Sequence, residues 1–185
     1  MFIRTRRLFL RPAWIEDARA LCGAIAAWDI VKNLASAPWP YGMAEAESFL
    51  AMRMARPAGP QFVIFERTEA EARLVGTIGL DRRDDADEHE LGYWIAREAW
   101  GRGYATEAGQ AILRLAFDGL RLPAVEAGHF IDNPASGAVL RKLGFRATGE
   151  VRGTYSKARD AIAPSARYVL DRENWCDRPA LCLAA

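Results

Sequence analysis

The sequence predicts a mixed α/β domain, α+β-like in character, with a largely antiparallel central sheet, one parallel strand pair and flanking helices. Three observations carry this expectation. Apolar residues in the early part of the chain recur at helical spacing, and after Pro60 the period shortens to that of successive strands joined by polar turns. After Glu90 the order is strand, helix, strand, helix, strand, which needs a crossover and therefore at least one parallel pair.

Leu8-Phe9-Leu10-Arg11-Pro12 follows a basic opening and stops at a proline, the pattern of a short first strand at a sheet edge. Within residues 16–34, Leu21, Ile25, Trp28 and Val31 recur three or four apart, predicting an amphipathic helix or a bent pair of them. Pro38-Trp39-Pro40-Tyr41-Gly42 breaks that pattern. Residues 44–56, with Phe49, Leu50 and Met52 among charged residues, predict a further helix, ended by the breakers of residues 57–60. Phe62-Val63-Ile64-Phe65, residues 74–80 and residues 90–95 then predict three strands, whose short connections favour an antiparallel meander. From Tyr104, Ala105, Ala108, Ile112 and Leu115 share one apolar helical face, while Glu107, Gln110, Arg114 and Asp118 lie elsewhere. A strand over 124–130 follows, then a helix over 135–143, closed by Gly144 where a left-handed residue is expected. Residues 145–151 and 167–170 supply the last two strands, and edge strands near Phe145 and Arg167 could pair across a homodimer interface. Nothing divides the chain internally, so residues 1–175 read as one domain and 176–185 as a loose tail.

At 185 residues the chain is long enough for one domain with a real core, and 51% hydrophobic against 26% charged residues is an ordinary globular balance. Twenty-five Lys plus Arg against 24 Asp plus Glu give a net charge of +1, which argues against nucleic acid or an anionic membrane as partner. The apolar stretch 18–31 is interrupted by Arg19 and Asp29. The opening carries Arg4, Arg6, Arg7 and Arg11 without an apolar core, so a cytoplasmic location is expected. Cys22, Cys176 and Cys182 are scattered without a C-x-x-C pair, and the histidines are His89 and His129. That set excludes an ordinary structural zinc site and reads as reduced thiols, so no metal is expected.

Residues 95–108 carry the chemistry: a strand leads through Trp100-Gly101-Arg102-Gly103 into a helix beginning Tyr104-Ala105-Thr106-Glu107-Ala108. Gly101 and Gly103 allow backbone conformations in which several N–H groups converge on one anion at the positive end of the helix, so a phosphate or pyrophosphate fits there. The plain alternative is a tight strand-to-helix turn. No Gly-Lys-Ser/Thr ending follows, which excludes a P-loop, and Thr106 stands where the dinucleotide fingerprint has its third glycine.

The segment resembles the acyl-CoA loop of the Gcn5-related N-acetyltransferases (GNAT), whose signature Q/R-x-x-G-x-G/A falls on residues 100–105. Trp100 departs from its first position. Trp-Gly-x-Gly-Tyr-Ala-Thr-Glu-Ala is, however, similar to the wording of the branch containing the RimJ and RimL protein N-terminal acetyltransferases. Residues 5–12 resemble that branch's opening strand and residues 90–95 its fourth strand. Asn133-Pro134-Ala135-Ser136 with Leu140-Arg141-Lys142-Leu143-Gly144-Phe145 is similar to its Asn-x-x-Ser/Ala helix. The resemblance covers most of residues 5–175 and implies a single GNAT-like domain that transfers an acetyl group from acetyl-CoA to a primary amine. It implies that backbone amides of Gly101, Arg102, Gly103, Tyr104, Ala105 and Thr106 hold the pyrophosphate, with Arg102 adding charge. Backbone groups around Trp94 and Ile95 would bind the pantetheine arm and help polarise the thioester carbonyl, and Asn133 would hydrogen-bond the arm from the far side.

Acyl transfer to an amine needs a neutral nitrogen, a stabilised oxyanion and a proton for the leaving thiolate. A lysine-like amine costs roughly 4–5 kcal/mol to deprotonate at pH 7 and an α-amine about 1 kcal/mol, so a strong base matters more for the former. Glu90 is the first candidate base or water-orienter, because it begins a strand and shares a face with Gly92 and Trp94. Its alternative is a solvated carboxylate beside the acidic turn 84–88. His89 is the second candidate base, and His129 the third, with a structural role as its alternative. The tyrosine acid that many relatives carry falls on Leu140, so Ser136 is the candidate to serve the thiolate; otherwise it is a small residue that lets the helix approach the cofactor.

Trp39, Tyr41 and Phe49 could line an acceptor pocket or belong to the core, and the acidic turn could attract a cationic amine. A peptide N-terminus, a polyamine, an aminoglycoside and a small metabolic amine are all compatible with these residues, as is an acyl donor somewhat longer than acetyl. A non-catalytic acyl-CoA-binding or sensing protein is the alternative function; a purely structural domain, with Gly101 and Gly103 as turns, is the remaining one.

Overall fold

The computed structural model describes residues 1–55, 59–68, 72–82 and 89–176. The acidic turn 84–88, Pro57, Cys182 and the predicted tail beyond Cys176 lie outside the described residues.

A strand that the sequence reading missed, β1 (Ile3–Arg4), pairs antiparallel with β2 (Leu8–Arg11). Thr5 turns the chain between them, its N–H donating to the Leu8 carbonyl at 3.0 Å. The expectation that residues 8–11 form the edge is thereby corrected: β1 takes the edge, and Leu8 and Leu10 are fully buried. The predicted helix pair is bent, α1 (Ala18–Ile25) and α2 (Trp28–Val31). Ala26 between them leaves helical geometry at ψ 54, which resets the phase. Ile30 and Val31 therefore turn inward, while Trp28, expected on the apolar face, stands outside with its ring 5.5 Å from Trp39.

α3 (Met43–Ala55) buries Ala46 and Leu50. It leads to β3 (Gln61–Glu66), β4 (Arg73–Arg82) and β5 (His89–Ile95), the expected antiparallel meander. α4 (Tyr104–Arg114) runs into a π-helical turn over Leu115–Gly119 and carries the chain to β6 (Ala124–Phe130), parallel to β5. α5 (Pro134–Leu143) ends on Gly144 at φ 98, as expected, and the hairpin β7 (Arg146–Ser156) and β8 (Ala161–Asp171) completes the sheet. Its order is β1-β2-β3-β4-β5-β6-β8-β7, and β5/β6 is the parallel pair among the described residues. β8 is thus interior, which corrects the placement of Arg167 on an edge strand. β7 is the edge there, and both strands outrun the prediction because β7 is exposed almost throughout and offers no apolar alternation.

Strand alternation sends neighbours to opposite faces. Ile64 and Ile95 join Leu8, Ile112, Phe117 and Leu140 under α4 and α5, whereas Val63 and Trp94 join Leu21, Ile25, Val31 and Leu50 under α1 and α3. Each fully buried aliphatic side chain contributes about 1.5–3 kcal/mol, so the two clusters clamp the sheet from both sides. Among the described residues no helix is long and apolar enough to cross a membrane.

Glu107 does not lie on a polar face of α4, as its spacing predicts, but is buried. Its Oε1 accepts from the Thr5 hydroxyl at 2.6 Å and the Arg7 N–H at 2.8 Å, and its Oε2 pairs with Arg7 Nε at 2.7 Å. The β1–β2 turn is thereby tied to the first turn of α4. Burial alone would raise this carboxyl's pKa, but the bonds from Thr5 and Arg7 prevail and hold it below its usual value. A depressed folded-state pKa gives stability that is present above the unfolded value, near 4.3, and lost as pH falls through the folded one. Glu107→Ala is expected to cost about 2–4 kcal/mol in urea unfolding at pH 7, and to lose less stability than the parent between pH 5 and pH 3.

Candidate active site

Among the described residues β5 and β6 pair at Glu90 with Glu126 and Leu91 with Ala127, then separate. On its other side β5 stays paired with β4 as far as Gly76 with Ile95. The Ala96 N–H bonds the Val75 carbonyl at 2.8 Å, and hydrogen-bonded pairs alternate along an antiparallel ladder, so Trp94 turns its backbone groups to β4. A Cβ on Gly76 would lie 2.2 Å from the Trp94 carbonyl oxygen, which places that oxygen on the β4 side and explains the glycine. The β5 backbone groups that face the opening are therefore those of Tyr93 and Ile95, not of Trp94. The Ile95 carbonyl already accepts the Trp100 indole N–H at 2.7 Å, which gives the departing residue of the loop signature a local purpose.

The opening belongs to a cavity of about 1730 Å³ that runs from the Gly101–Thr106 loop past Tyr93 and Asn133 to Glu90 and Arg167. At the loop, Gly101 and Gly103 have φ of 75 and 76, a region that L side chains avoid. Among the described residues no side chain caps α4, so the first-turn N–H groups of Tyr104, Ala105 and Thr106, residues that line the cavity, have no intrahelical acceptors. Arg102 reaches Glu66 at 3.1 Å, and the Tyr104 hydroxyl also donates to Glu66. The Tyr104 bond first, with Arg73 and Arg102, holds the Glu66 carboxyl below its usual pKa despite its partial burial.

Arg7, which the sequence reading passed over, is the second cation at the loop. Its guanidinium lies 4.8 Å from the Tyr104 ring centroid, and Nη2 sits 3.5 Å from where a Cβ on Gly103 would stand. With Nε held by Glu107, its terminal amino groups remain at the mouth of the loop.

At the other end Glu90 is held by Arg167, with Nη1 to Oε1 at 2.9 Å and Nη2 to Oε2 at 3.1 Å, and Nη2 also meets Glu126 Oε2 at 2.9 Å. Burial alone would lower the Arg167 pKa; the two carboxylates, Glu90 first, outweigh it and keep the guanidinium charged. Its Nε is buried without an acceptor. Glu90 is thus held in place at the cavity wall by Arg167.

Asn133 caps α5, its Oδ1 accepting from the Ser136 N–H at 3.3 Å. The Ser136 hydroxyl meets the Tyr93 hydroxyl at 2.8 Å. His129 is engaged on both ring nitrogens, with the Phe130 carbonyl at 2.8 Å and the Tyr168 hydroxyl at 3.4 Å, while His89 lies at the start of β5 outside the cavity lining. Tyr41 and Phe49 line the cavity and also pack in the α1/α3 core, whereas Trp39 does not reach it. Glu90 and Ser136 therefore approach the opening from opposite faces of the sheet. Arg7, Tyr93, Glu126 and Arg167 escaped the sequence reading because their partners are remote in sequence and no spacing rule connects them.

The chain's residues 7–146 match the acetyltransferase (GNAT) domain family. A curated relative, named uncharacterized N-acetyltransferase p20 from Bacillus licheniformis, is 29% identical over 163 residues, covering 85% of this chain and 89% of that protein. Among solved structures, a GNAT-family acetyltransferase from Bacillus anthracis superposes with a TM-score of 0.80 at 23% identity, over 94% of this chain and 99% of the other. RimL, a ribosomal-protein alpha-N-acetyltransferase solved with coenzyme A, gives 0.76 at 18% identity, over 92% and 98%. At such identities the two structural likenesses concern the fold.

Glu90 and Glu126 stand opposite each other in the parallel register and share Arg167 Nη2, at 3.1 and 2.9 Å, so without the guanidinium two like charges would face each other. Arg167→Met is accordingly expected to cost about 3–5 kcal/mol in denaturant unfolding at pH 7, and adding Glu126→Gln to recover a substantial part of it. An Arg167→Met protein as stable as its parent would show that the pair is not strained.

Proposed function

The chain belongs to the acetyltransferase (GNAT) domain family, as an N-acetyltransferase with acetyl-CoA as co-substrate, and from that premise we propose that it falls in the RimJ/RimL-like branch and that its acceptor is an α-amine, on a protein N-terminus or a small molecule. The observation that carries the reading is the opening between β5 and β6, continuous with the uncapped start of α4. A cavity of about 1730 Å³ has room for a long ligand and an acceptor together, since pockets for drug-sized ligands hold about 300–1,000 Å³.

The residues present fit the co-substrate. Amides of Gly101 to Thr106 receive the pyrophosphate, with Arg7 and Arg102 as flanking cations. The amide-containing arm enters between the strands, where the Tyr93 and Ile95 backbone groups and the Asn133 side-chain amide offer hydrogen bonds. When bound, the co-substrate supplies the activated acetyl group; the protein positions it, orients the amine and receives the sulfur.

Glu90 acts on the amine side. Fixed by Arg167, it orients the incoming nitrogen or the water that takes its proton. That arrangement suits an acceptor whose nitrogen is nearly neutral already: an α-amine needs about 1 kcal/mol at pH 7, a lysine side chain roughly 4–5 kcal/mol. Ser136, on the other face, donates a hydrogen bond to the departing sulfur on this reading.

The test is thermal unfolding with and without acetyl-CoA, then thiol release with peptides, polyamines and aminoglycosides as acceptors. A ligand that binds the folded state raises apparent stability. The expected result is a rise with acetyl-CoA and release with N-terminal peptides or small α-amines. A rise without release favours the sensing protein, and release only with polyamines or lysine side chains overturns the α-amine assignment. Gly103→Pro, which removes a loop N–H and cannot reach φ 76, is expected to weaken CoA binding at least about tenfold in titration calorimetry. An unchanged Kd would reject the phosphate-loop role.

A further inference from the structure

We propose that Tyr93 is a positioning residue for the reaction: its hydroxyl orients Ser136 so that the serine's own proton faces the leaving sulfur. This rests on the proposed acetyl-CoA reading of the cavity and adds a role that neither the loop nor the Asn133 helix carries.

Tyr93 sits on the α4/α5 face of β5, next to the strand's free edge, and its side chain crosses to the first turn of α5. Among the described residues its hydroxyl meets two atoms of one residue, Ser136 Oγ at 2.8 Å and the Ser136 carbonyl, to which it can only donate, at 3.3 Å. Burial pushes the Tyr93 phenol up to about 12, so it keeps its proton throughout the working range. A hydroxyl has one proton to give and two lone pairs to receive with. When Tyr93 donates to Ser136 Oγ, the serine proton is free to turn into the cavity, which both side chains line. Ser136 is fixed from the other side as well, because its N–H is held by Asn133.

The proton balance is simple. Nitrogen attack on the thioester carbonyl forms the C–N bond, and the C–S electron pair leaves as thiolate. Ser136 donates its hydrogen bond to that sulfur, the amine proton passes to water beside Glu90, and solvent returns one proton to the thiolate. Tyr93 keeps its own proton throughout. A Cys-like thiol has a pKa near 8.5, so a single donor that stabilises the thiolate lowers the value of the bound thiol.

The experiment needs no acceptor. CoA, which has a thiol, and acetyl-CoA, which has none, are titrated calorimetrically into the protein between pH 6.5 and pH 9.5. Comparing this affinity ratio between the parent and Ser136→Ala isolates the serine, because His129, Glu90 and Arg167 near the cavity are the same in both proteins. For the parent protein the ratio favouring CoA is expected to grow with pH and approach about tenfold by pH 9.5, equivalent to about one unit in the bound thiol. Ser136→Ala removes that growth. Tyr93→Phe, which keeps the ring and is checked by thermal unfolding, reduces it by at least about threefold, and the double variant matches Ser136→Ala alone. A flat Ser136→Ala with a Tyr93→Phe indistinguishable from the parent overturns the positioning role and leaves the Ser136 assignment standing. Parent and Ser136→Ala profiles that coincide overturn both roles while keeping the cofactor reading. No binding of either ligand by the parent removes the cofactor reading, and this inference with it.

Discussion

The parallel register of β5 and β6 sets two carboxylates, Glu90 and Glu126, side by side, and the Arg167 guanidinium from β8 makes that register tolerable. Beyond this closed end the strands separate and the β5 backbone loses its neighbour. Parallel strands also require a crossover, so α4 must start near the end of β5, with its unsatisfied N–H groups beside the opening. The uncapped helix start, the free strand edge and the fixed carboxylate are thus consequences of one local arrangement.

The sheet then separates the chemistry. Strand alternation puts Glu90 on the face covered by α1 and α3 and Tyr93 on the face covered by α4 and α5, with Ser136 on α5 itself. On the proposed reading, a nitrogen approaching from one side and a sulfur departing to the other do not compete for the same group.

The sequence disclosed the fold where periodicity and breakers act locally. The meander, the crossover and the Gly101–Gly103 turn followed from alternation, chain order and backbone freedom. It did not disclose β1, which has two residues, or the full β7–β8 hairpin, whose exposed strand shows no apolar face. Glu107 was placed on a polar face because helical spacing knows nothing of Thr5 and Arg7, which reach it from about a hundred residues away. Glu90, Ser136, Asn133 and the loop were singled out from motif and position, and all of them line the cavity. The bonds from Arg167 to Glu90 and from Tyr93 to Ser136 were not legible, since tertiary pairing leaves no spacing signal.

The central claim is that one extended ligand lies from the α4 loop along the free edge of β5. Amide chemical shifts of the labelled protein, recorded as acetyl-CoA is added, test it most directly. The account predicts the largest changes at Gly101 and Gly103 to Thr106, together with Tyr93 and Ile95 on the open edge, while Trp94, bonded to β4, moves less. Changes confined to another surface, or changes at the loop with none along β5, would contradict it.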